Sequence, residues 1–179
     1  MPPWYYMTMK KTAYFVFSLL TAVGLPAQHK PKMVDDIPIF KDAKVGIAYE
    51  YYLHLKDALV GSWPEEARRT ASELQKTLAS VSGGKNASDE AAKVGASANL
   101  ADQRKAFSIL SNEMATFVKG GKLWTGMLYL EYCPMANNNA GAYWLSNEKE
   151  IKNPYFGYKI MKSSDKLLLG CGIVKEMIH

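Results

Sequence analysis

Length, composition and charge exclude several protein classes for this 179-residue chain before any motif is considered. Hydrophobic residues make up 48% and charged residues 22% of the sequence, which is typical of a single globular domain with its own core. The formal net charge is +5, and the lysines are scattered among acids, as in Asp165-Lys166 and Lys175-Glu176. Because a nucleic-acid-binding surface requires clustered basic residues, the sequence does not indicate a nucleic-acid partner.

The first 27 residues have the pattern of a secretory signal peptide. Lys10 and Lys11 precede a short apolar run that ends in small residues near Ala27, and Met9 is a more natural start for such a segment than Met1. The apolar run is shorter than the roughly 20 residues that span a bilayer. We therefore expect a periplasmic or secreted protein with no membrane span after signal removal, in which a proline-containing linker (residues 28–39) leads to one domain (residues 40–179).

Three amphipathic patterns predict three helices in the first part of this domain. The first begins near Asp42, the second follows a break at Gly61 with Ser62 as its N-cap and ends near Val81, and the third ends at Gly120. The intervening alanine-rich stretch is predicted as no more than a short helix within a long connection. The positions expected to face the core are Ile47, Tyr51, Leu55 and Leu59, then Ala67, Ala71, Leu74, Leu78 and Val81, then Leu100, Phe107, Leu110, Met114 and Phe117.

After Lys122 the helical period is lost, and the predictions become local. The aromatic and apolar run at 123–132 is predicted as a short strand, with 142–145 as its hairpin partner. Residues 146–150 suggest a capped helical turn, and residues 165–178 suggest a final helix interrupted by glycines. The expected fold class is therefore mainly α, an up-and-down bundle of three to four helices with an irregular C-terminal segment that includes a short β-hairpin.

Both cysteines lie beside bends in this C-terminal segment. Cys133-Pro134-Met135 precedes the run Asn137-Asn138-Asn139, whose residue type accepts left-handed backbone conformations at low cost. Asn153-Pro154 marks a second turn, and Gly170 and Gly172 flank Cys171. The residues expected to shape these loops are Pro134, Asn153, Pro154, Gly170 and Gly172.

These motifs carry a resemblance to a known family. The segments that carry it are Leu55-Lys56-Asp57-Ala58-Leu59-Val60, Tyr132-Cys133-Pro134-Met135-Ala136, Gly141-Ala142-Tyr143-Trp144-Leu145-Ser146, Ile151-Lys152-Asn153-Pro154-Tyr155-Phe156-Gly157 and Cys171-Gly172. The chain resembles the bacterial exported domain of unknown function 3347 family, which also occurs appended to periplasmic adaptor proteins of heavy-metal efflux systems. The resemblance implies metal handling, with copper as the expected metal and an efflux-pump adaptor or another periplasmic protein as the expected partner. Similar sequences place the second cysteine closer to a preceding methionine, which weakens Met161 as a ligand here.

The residues themselves leave two readings of the cysteines open. Thiolate and thioether are soft ligands that favour Cu(I), so Cys133, Cys171 and Met135 form a candidate metal site, with His54 or Met161 as a further ligand. Alternatively, Cys133 and Cys171 form a structural disulfide, or remain two buried thiols. The sequence favours the two main readings about equally, and the resemblance favours metal.

No enzyme motif accompanies these residues. The chain has no phosphate-binding glycine loop, no Gly-x-Ser-x-Gly elbow and no His-Glu-x-x-His pattern, and a Cys133/His54 pair lacks a third member to orient it. We therefore expect a non-catalytic protein. The main expectation is soft-metal binding, and the alternative is a protein-interaction domain, stapled by a Cys133–Cys171 disulfide, that uses aromatic residues such as Tyr143 and Phe156.

Overall fold

A computed structural model describes residues 37–120, 122–161 and 166–179, which fold into four consecutive helices followed by short antiparallel strands. The expected mainly α fold class is confirmed. The predicted signal peptide and most of the predicted linker lie outside the described residues. Within the described part of the chain, no helix is both long and apolar enough to cross a membrane.

The helical layer is formed by four helices, each packed against the next in sequence. Their bounds are Ala43–Gly61 (α1), Pro64–Ala79 (α2), Lys85–Ala96 (α3) and Leu100–Lys119 (α4). The predicted core positions of α2 and most of those of α4 are buried, including Leu74, Leu78, Phe107 and Met114, each with no exposed surface. The alanine-rich stretch forms the whole of α3, because its small Ala87 and Ala91 side chains fit closely against α2.

Helix α1 buries only part of the predicted face: Leu55 and Leu59 are buried as predicted, whereas Tyr51 is only half-buried. Asp42 caps it as expected, since its Oδ1 accepts a hydrogen bond from the Lys44 N–H at 2.8 Å. Ile47 was predicted to be buried but is 47% exposed, whereas Tyr49 and Tyr52 are buried. Apolar residues occur on nearly every side of this helix, so periodicity alone does not fix which side meets the core.

The core-facing side of α1 is set by aromatic contacts with α4. The Tyr52 and Phe107 rings stack with centroids 5.3 Å apart, and the Tyr52 hydroxyl lies 2.8 Å from Ser111 Oγ. The same hydroxyl accepts a hydrogen bond from the Leu145 N–H at 3.0 Å, which attaches the sheet to the helical layer. These contacts involve residues distant in sequence, which is why the helical pattern of α1 did not reveal them.

The predicted capping role of Ser62 is wrong. Ser62 has a left-handed backbone (φ 59°) that ends α1, and its N–H returns to the Leu59 carbonyl. Trp63 occupies the N-cap position of α2 without a side-chain hydrogen bond, and Pro64 begins the helix as predicted. The Ser62 hydroxyl instead accepts a hydrogen bond from Arg104 Nη2 at 3.0 Å.

In the described part of the chain, seven short strands follow or flank the helices. Their bounds are Ile39–Phe40 (β1), Leu123–Thr125 (β2), Leu128–Cys133 (β3), Ala142–Ser146 (β4), Ile160–Met161 (β5), Lys166–Leu167 (β6) and Ile173–Ile178 (β7), with a helical turn at Ala136–Asn139 (α5) between β3 and β4. The predicted hairpin is confirmed as the antiparallel pair β3–β4, in which Glu131 lies opposite Trp144. Strand β7 adds to the other edge of β3 and completes a three-stranded sheet in the order β4-β3-β7.

Two local predictions in this region are wrong. Residues 147–150 form bends rather than a helical turn, and the Ser146 hydroxyl accepts a hydrogen bond from the Glu148 N–H at 3.1 Å. The predicted final helix is the strand β7 together with a 3₁₀ turn at Leu168–Gly170. Because the pairing of β7 with β3 joins residues far apart in sequence, its apolar spacing could be read as helical when taken alone.

Candidate functional site

The two cysteines meet where β3 ends and the 3₁₀ turn leads into β7. Cys133 and Cys171 are 38 positions apart and form a disulfide, with their Cα atoms 6.0 Å apart. Cys133 is fully buried, whereas Cys171 is half-buried. The described residues contain no free cysteine. The structure therefore brings the two sulfurs together. The sequence had predicted them either as a pair of metal ligands or as a bridge.

The Asn153 side chain holds the backbone around Cys171 in place. Asn153 is fully buried, and its Nδ2 donates a hydrogen bond to the Cys171 carbonyl at 2.6 Å. Its Oδ1 accepts hydrogen bonds from the N–H groups of Tyr155 at 2.8 Å and Phe156 at 3.2 Å, which organises the turn that Pro154 begins. Its own N–H donates to the Leu169 carbonyl at 2.8 Å. One amide side chain thus connects the 153–157 turn to the second cysteine.

Gly172 allows the chain to pass close to the sheet directly after the disulfide. Its φ is 153°, and a Cβ at this position would lie 2.8 Å from the Trp144 ring. A side chain here would therefore displace the indole that fills the space beneath the hairpin. Around Gly170, by contrast, a Cβ would meet no atom within 4 Å, so no steric contact requires glycine there.

A groove of about 370 Å³ runs beside the disulfide. Met135 and Cys171 both line it, so the structure brings a thioether and the more accessible sulfur of the pair to one surface. The exposed Pro134 also lines the groove. The remaining lining residues are mainly apolar: Tyr132, Leu168, Gly170, Gly172, Ile173 and Lys175.

Of the other two predicted ligands, His54 does not line this groove. His54 is exposed on α1. Met161 lies in β5, and the structure describes its backbone only. Among the described residues, no three His, Cys, Asp or Glu side chains cluster in a way that could hold a metal ion.

A buried acid beneath the hairpin was not identified from the sequence. Glu131 has no exposed surface, and neither of its carboxyl oxygens makes a hydrogen bond of regular geometry with the described residues. Burial raises the pKa of Glu131 to about 8, while the Lys56 ammonium and the Trp144 indole oppose this shift. The only available signal was one charged residue inside the otherwise apolar run of β3.

The pKa shift means that Glu131 is largely protonated at neutral pH. Tyr49 lies in similarly apolar surroundings, since burial raises the pKa of its phenol. Its hydroxyl also lacks a hydrogen-bond partner among the described residues. Lys56 is only 5% exposed and pairs with Asp57 at 3.0 Å. The Glu131 carboxyl and the Tyr49 hydroxyl are thus buried polar groups that lack hydrogen-bond partners among the described residues.

Comparison with known proteins gives one match. Residues 48–125 match the model of a family described as "Protein of unknown function (DUF3347)". The match covers most of α1, all of α2, α3 and α4, and β2, but it stops before both cysteines. No curated protein and no solved structure matches. The match supports the family resemblance for the helical layer, and the site around the disulfide has to be interpreted from its own chemistry.

Proposed function

We propose that this protein is an exported, non-catalytic binder of a soft metal ion, preferentially Cu(I), and that it takes part in heavy-metal efflux or homeostasis. The observation that carries the proposal is the meeting of Cys133 and Cys171 beside a groove that Met135 also lines. Two thiolates and a thioether are the soft ligands that Cu(I) prefers over hard ions. The family resemblance supports the same metal and a periplasmic location, with an efflux-pump adaptor or another periplasmic protein as partner.

In this proposal the disulfide is the closed form of the site. A disulfide sulfur cannot act as a thiolate ligand, so two electrons and two protons from a dithiol reductant must first convert the bridge into two thiols. Binding of the metal ion then releases the thiol protons. Cys171 and Met135 border the groove, while Cys133 supplies a ligand from the buried side.

Thiol counting and Cu(I) titration test this proposal. The native protein is denatured under a chelator and alkylated, and the reduced protein is then titrated anaerobically with Cu(I) against a competing chelator. We expect one Cu(I) site in the reduced form only, abolished by Cys133→Ser or Cys171→Ser. Met135→Leu should weaken the site less, because a neutral thioether contributes less than a thiolate.

Met177→Leu is the matched control for the thioether. Met177 is 50% exposed on β7 and does not line the groove. Its replacement should leave the Cu(I) affinity unchanged. If the reduced wild type fails to compete with the chelator, or if Met177→Leu and Met135→Leu weaken binding equally, the proposed ligand set is wrong.

A protein-interaction domain is the second candidate, favoured by the disulfide together with an apolar surface. On β7, Ile173 and Met177 are at least half exposed and Val174 is 36% exposed, and β7 forms an edge of its sheet. In this reading the disulfide only holds the strand in place. Native protein that remains fully oxidised, and whose reduced form binds no Cu(I), would favour this candidate over the first.

A further inference from the structure

A second pocket, of about 350 Å³, shares no lining residue with the groove beside the disulfide. Helix α4 forms one wall with Arg104 and Lys105, and Phe156 and Lys159 form another. The remaining lining residues are Ala101, Asp102, Asn137, Asn138 and Tyr155. Three cations and two amide side chains thus surround a space that also has an aromatic wall.

Arg104 is a half-buried cation that has no acidic partner among the described residues. Its Nε donates to the Pro154 carbonyl at 2.8 Å, and its Nη2 donates to the Leu59 carbonyl at 2.8 Å and to Ser62 Oγ at 3.0 Å. Its Nη1 has no hydrogen-bond partner among the described residues. Burial lowers the pKa of Arg104, and no acid in the described part of the chain opposes that shift.

The other two arginines of the chain form ion pairs with glutamates, as is usual for arginines at a protein surface. Arg68 pairs with Glu65 and Arg69 pairs with Glu66, both on the exposed surface of α2. In the described part of the chain, Arg104 is thus the one arginine that is both partly buried and without a carboxylate within 4 Å. The Nη1 of this partly desolvated guanidinium can still donate to an acceptor, and a hydrogen bond from a cation to an anionic oxygen is stronger than one to a neutral oxygen.

The pocket has an excess of positive charge. Lys105 and Lys159 are both exposed, and neither forms an ion pair with the described residues. Asp102 is the single acid among the described lining residues, and its Oδ2 accepts a hydrogen bond from Asn99 Nδ2 at 2.7 Å. Two positive charges of the three are therefore not balanced within the pocket.

The walls suit a ligand that is larger than a simple ion. Asn137 and Asn138 have left-handed backbones (φ 51° and 57°) and line the pocket opposite α4. Phe156 contributes an aromatic surface that remains partly accessible. A volume of this size and a mixture of apolar and convergent polar groups are typical of small-molecule sites.

We propose that this pocket binds a small organic anion that carries a carboxylate or phosphate group. The oxyanion contacts Nη1 of Arg104 and the ammonium groups of Lys105 and Lys159. The apolar part of the ligand packs against Phe156. None of the residues that line this pocket belongs to the proposed Cu(I) site.

Titration with matched aromatic probes tests this proposal. Isotopically labelled protein at low ionic strength is titrated with benzoate, phenyl phosphate and the neutral benzamide, and backbone amide NMR shifts are followed. Saturable shifts centred on α4 and residues 154–159 are expected for benzoate, for phenyl phosphate or for both, and the tighter of the two identifies the oxyanion. Benzamide should bind at least about fivefold more weakly, because it lacks the charge.

Lysine variants locate the site without disturbing the hydrogen bonds of Arg104. Lys105→Gln and Lys159→Gln should each weaken binding by about two- to fivefold, as expected for one exposed charge contact. Lys44→Gln, at an exposed lysine without an ion pair at the start of α1, should leave binding unchanged. The proposal is overturned if neither anion gives saturable shifts, if benzamide binds as tightly as the anions, or if Lys44→Gln has the same effect as the other two variants.

Discussion

The helical layer and strand β7 are held in the fold by different means. Helices α1 to α4 share a continuous apolar core in which Leu55, Leu74 and Phe107 have no exposed surface. Strand β7 has five exposed residues out of six and buries only Ile178. It is kept in place by its antiparallel pairing with β3 and by the disulfide, whose second cysteine, Cys171, lies just before the strand. A segment that buries little apolar surface thus depends on covalent and polar attachments.

The largest effect is expected in the helical core. Leu74→Ala should lower the free energy of unfolding by roughly 2–5 kcal/mol, because it removes fully buried methyl groups and leaves a cavity between α2 and its neighbours. Denaturant unfolding measures this change. Ile109→Ala, at a 49% exposed position of α4, is the control and should change stability by less than about 0.5 kcal/mol. Equal effects of the two variants would contradict the assigned core.

Removal of the disulfide should have a large but localised effect. The double variant Cys133→Ser/Cys171→Ser should lose about 2–4 kcal/mol, because the unfolded chain is no longer restrained by the 38-residue separation of the two positions. Native-state hydrogen exchange should show the loss first in β7, while α2 remains protected. Uniform loss of protection across both elements would remove the distinction between the two regions.

The buried acid gives the sheet a pH dependence that the helical core lacks. Because burial raises the pKa of Glu131 from its ordinary value of 4.5 to about 8, the folded state keeps a proton that the unfolded state has lost. Stability should therefore fall as pH rises from about 4.5 to about 8 and then level off. The charged groups that bear on Glu131 are Lys56, Glu148 and Lys152.

Glu131→Gln isolates this contribution. The variant should lose most of the fall in stability across that range and, at pH 9, should be more stable than the wild type by roughly 1–3 kcal/mol. Denaturant unfolding at several pH values measures both quantities. Glu50→Gln, at an exposed position of α1, should keep the wild-type profile. A wild-type stability that does not change between pH 5 and 8 would contradict a neutral Glu131.

The smallest effect is expected for the surface ion pair between the two regions. Lys119 of α4 contacts Glu176 of β7 at 2.6 Å, and both side chains are well exposed. Lys119→Ala should therefore cost less than about 1 kcal/mol. A double-mutant cycle with Glu176→Ala measures the coupling. A coupling as large as the disulfide effect would mean that surface charge, rather than the covalent bridge, attaches β7.

The sequence was most informative where structure depends on neighbours along the chain. Helical spacing correctly placed Leu74, Leu78, Phe107 and Met114 in the core, and the left-handed Asn137-Asn138-Asn139 run was foreseen from its residue type. Both predictions depend on local geometry, since a helix brings residues three or four apart to one face and asparagine tolerates positive φ. The β3–β4 hairpin was also predictable from local sequence, because its two strands are neighbours along the chain.

Apart from the local errors at Ser62 and at residues 147–150, the failures concern contacts between distant residues. The strand β7 was predicted as a helix because its partner, β3, lies about 45 positions earlier in the chain. The hydrogen bond from Asn153 to the Cys171 carbonyl and the burial of Glu131 depend on the same long-range packing. Two cysteines were compatible with a bridge or a metal site on sequence grounds, and only the fold brings their sulfurs together.

The disulfide also determines what a protease can remove. Cys133 and Cys171 close a covalent ring that contains β4, the 153–157 turn and β5. A single cut inside this ring leaves both fragments attached, so the nicked protein keeps its intact mass plus one water under non-reducing conditions and separates into two pieces only after reduction. The ring therefore lets the loops on either side of the turn be nicked without release of β7.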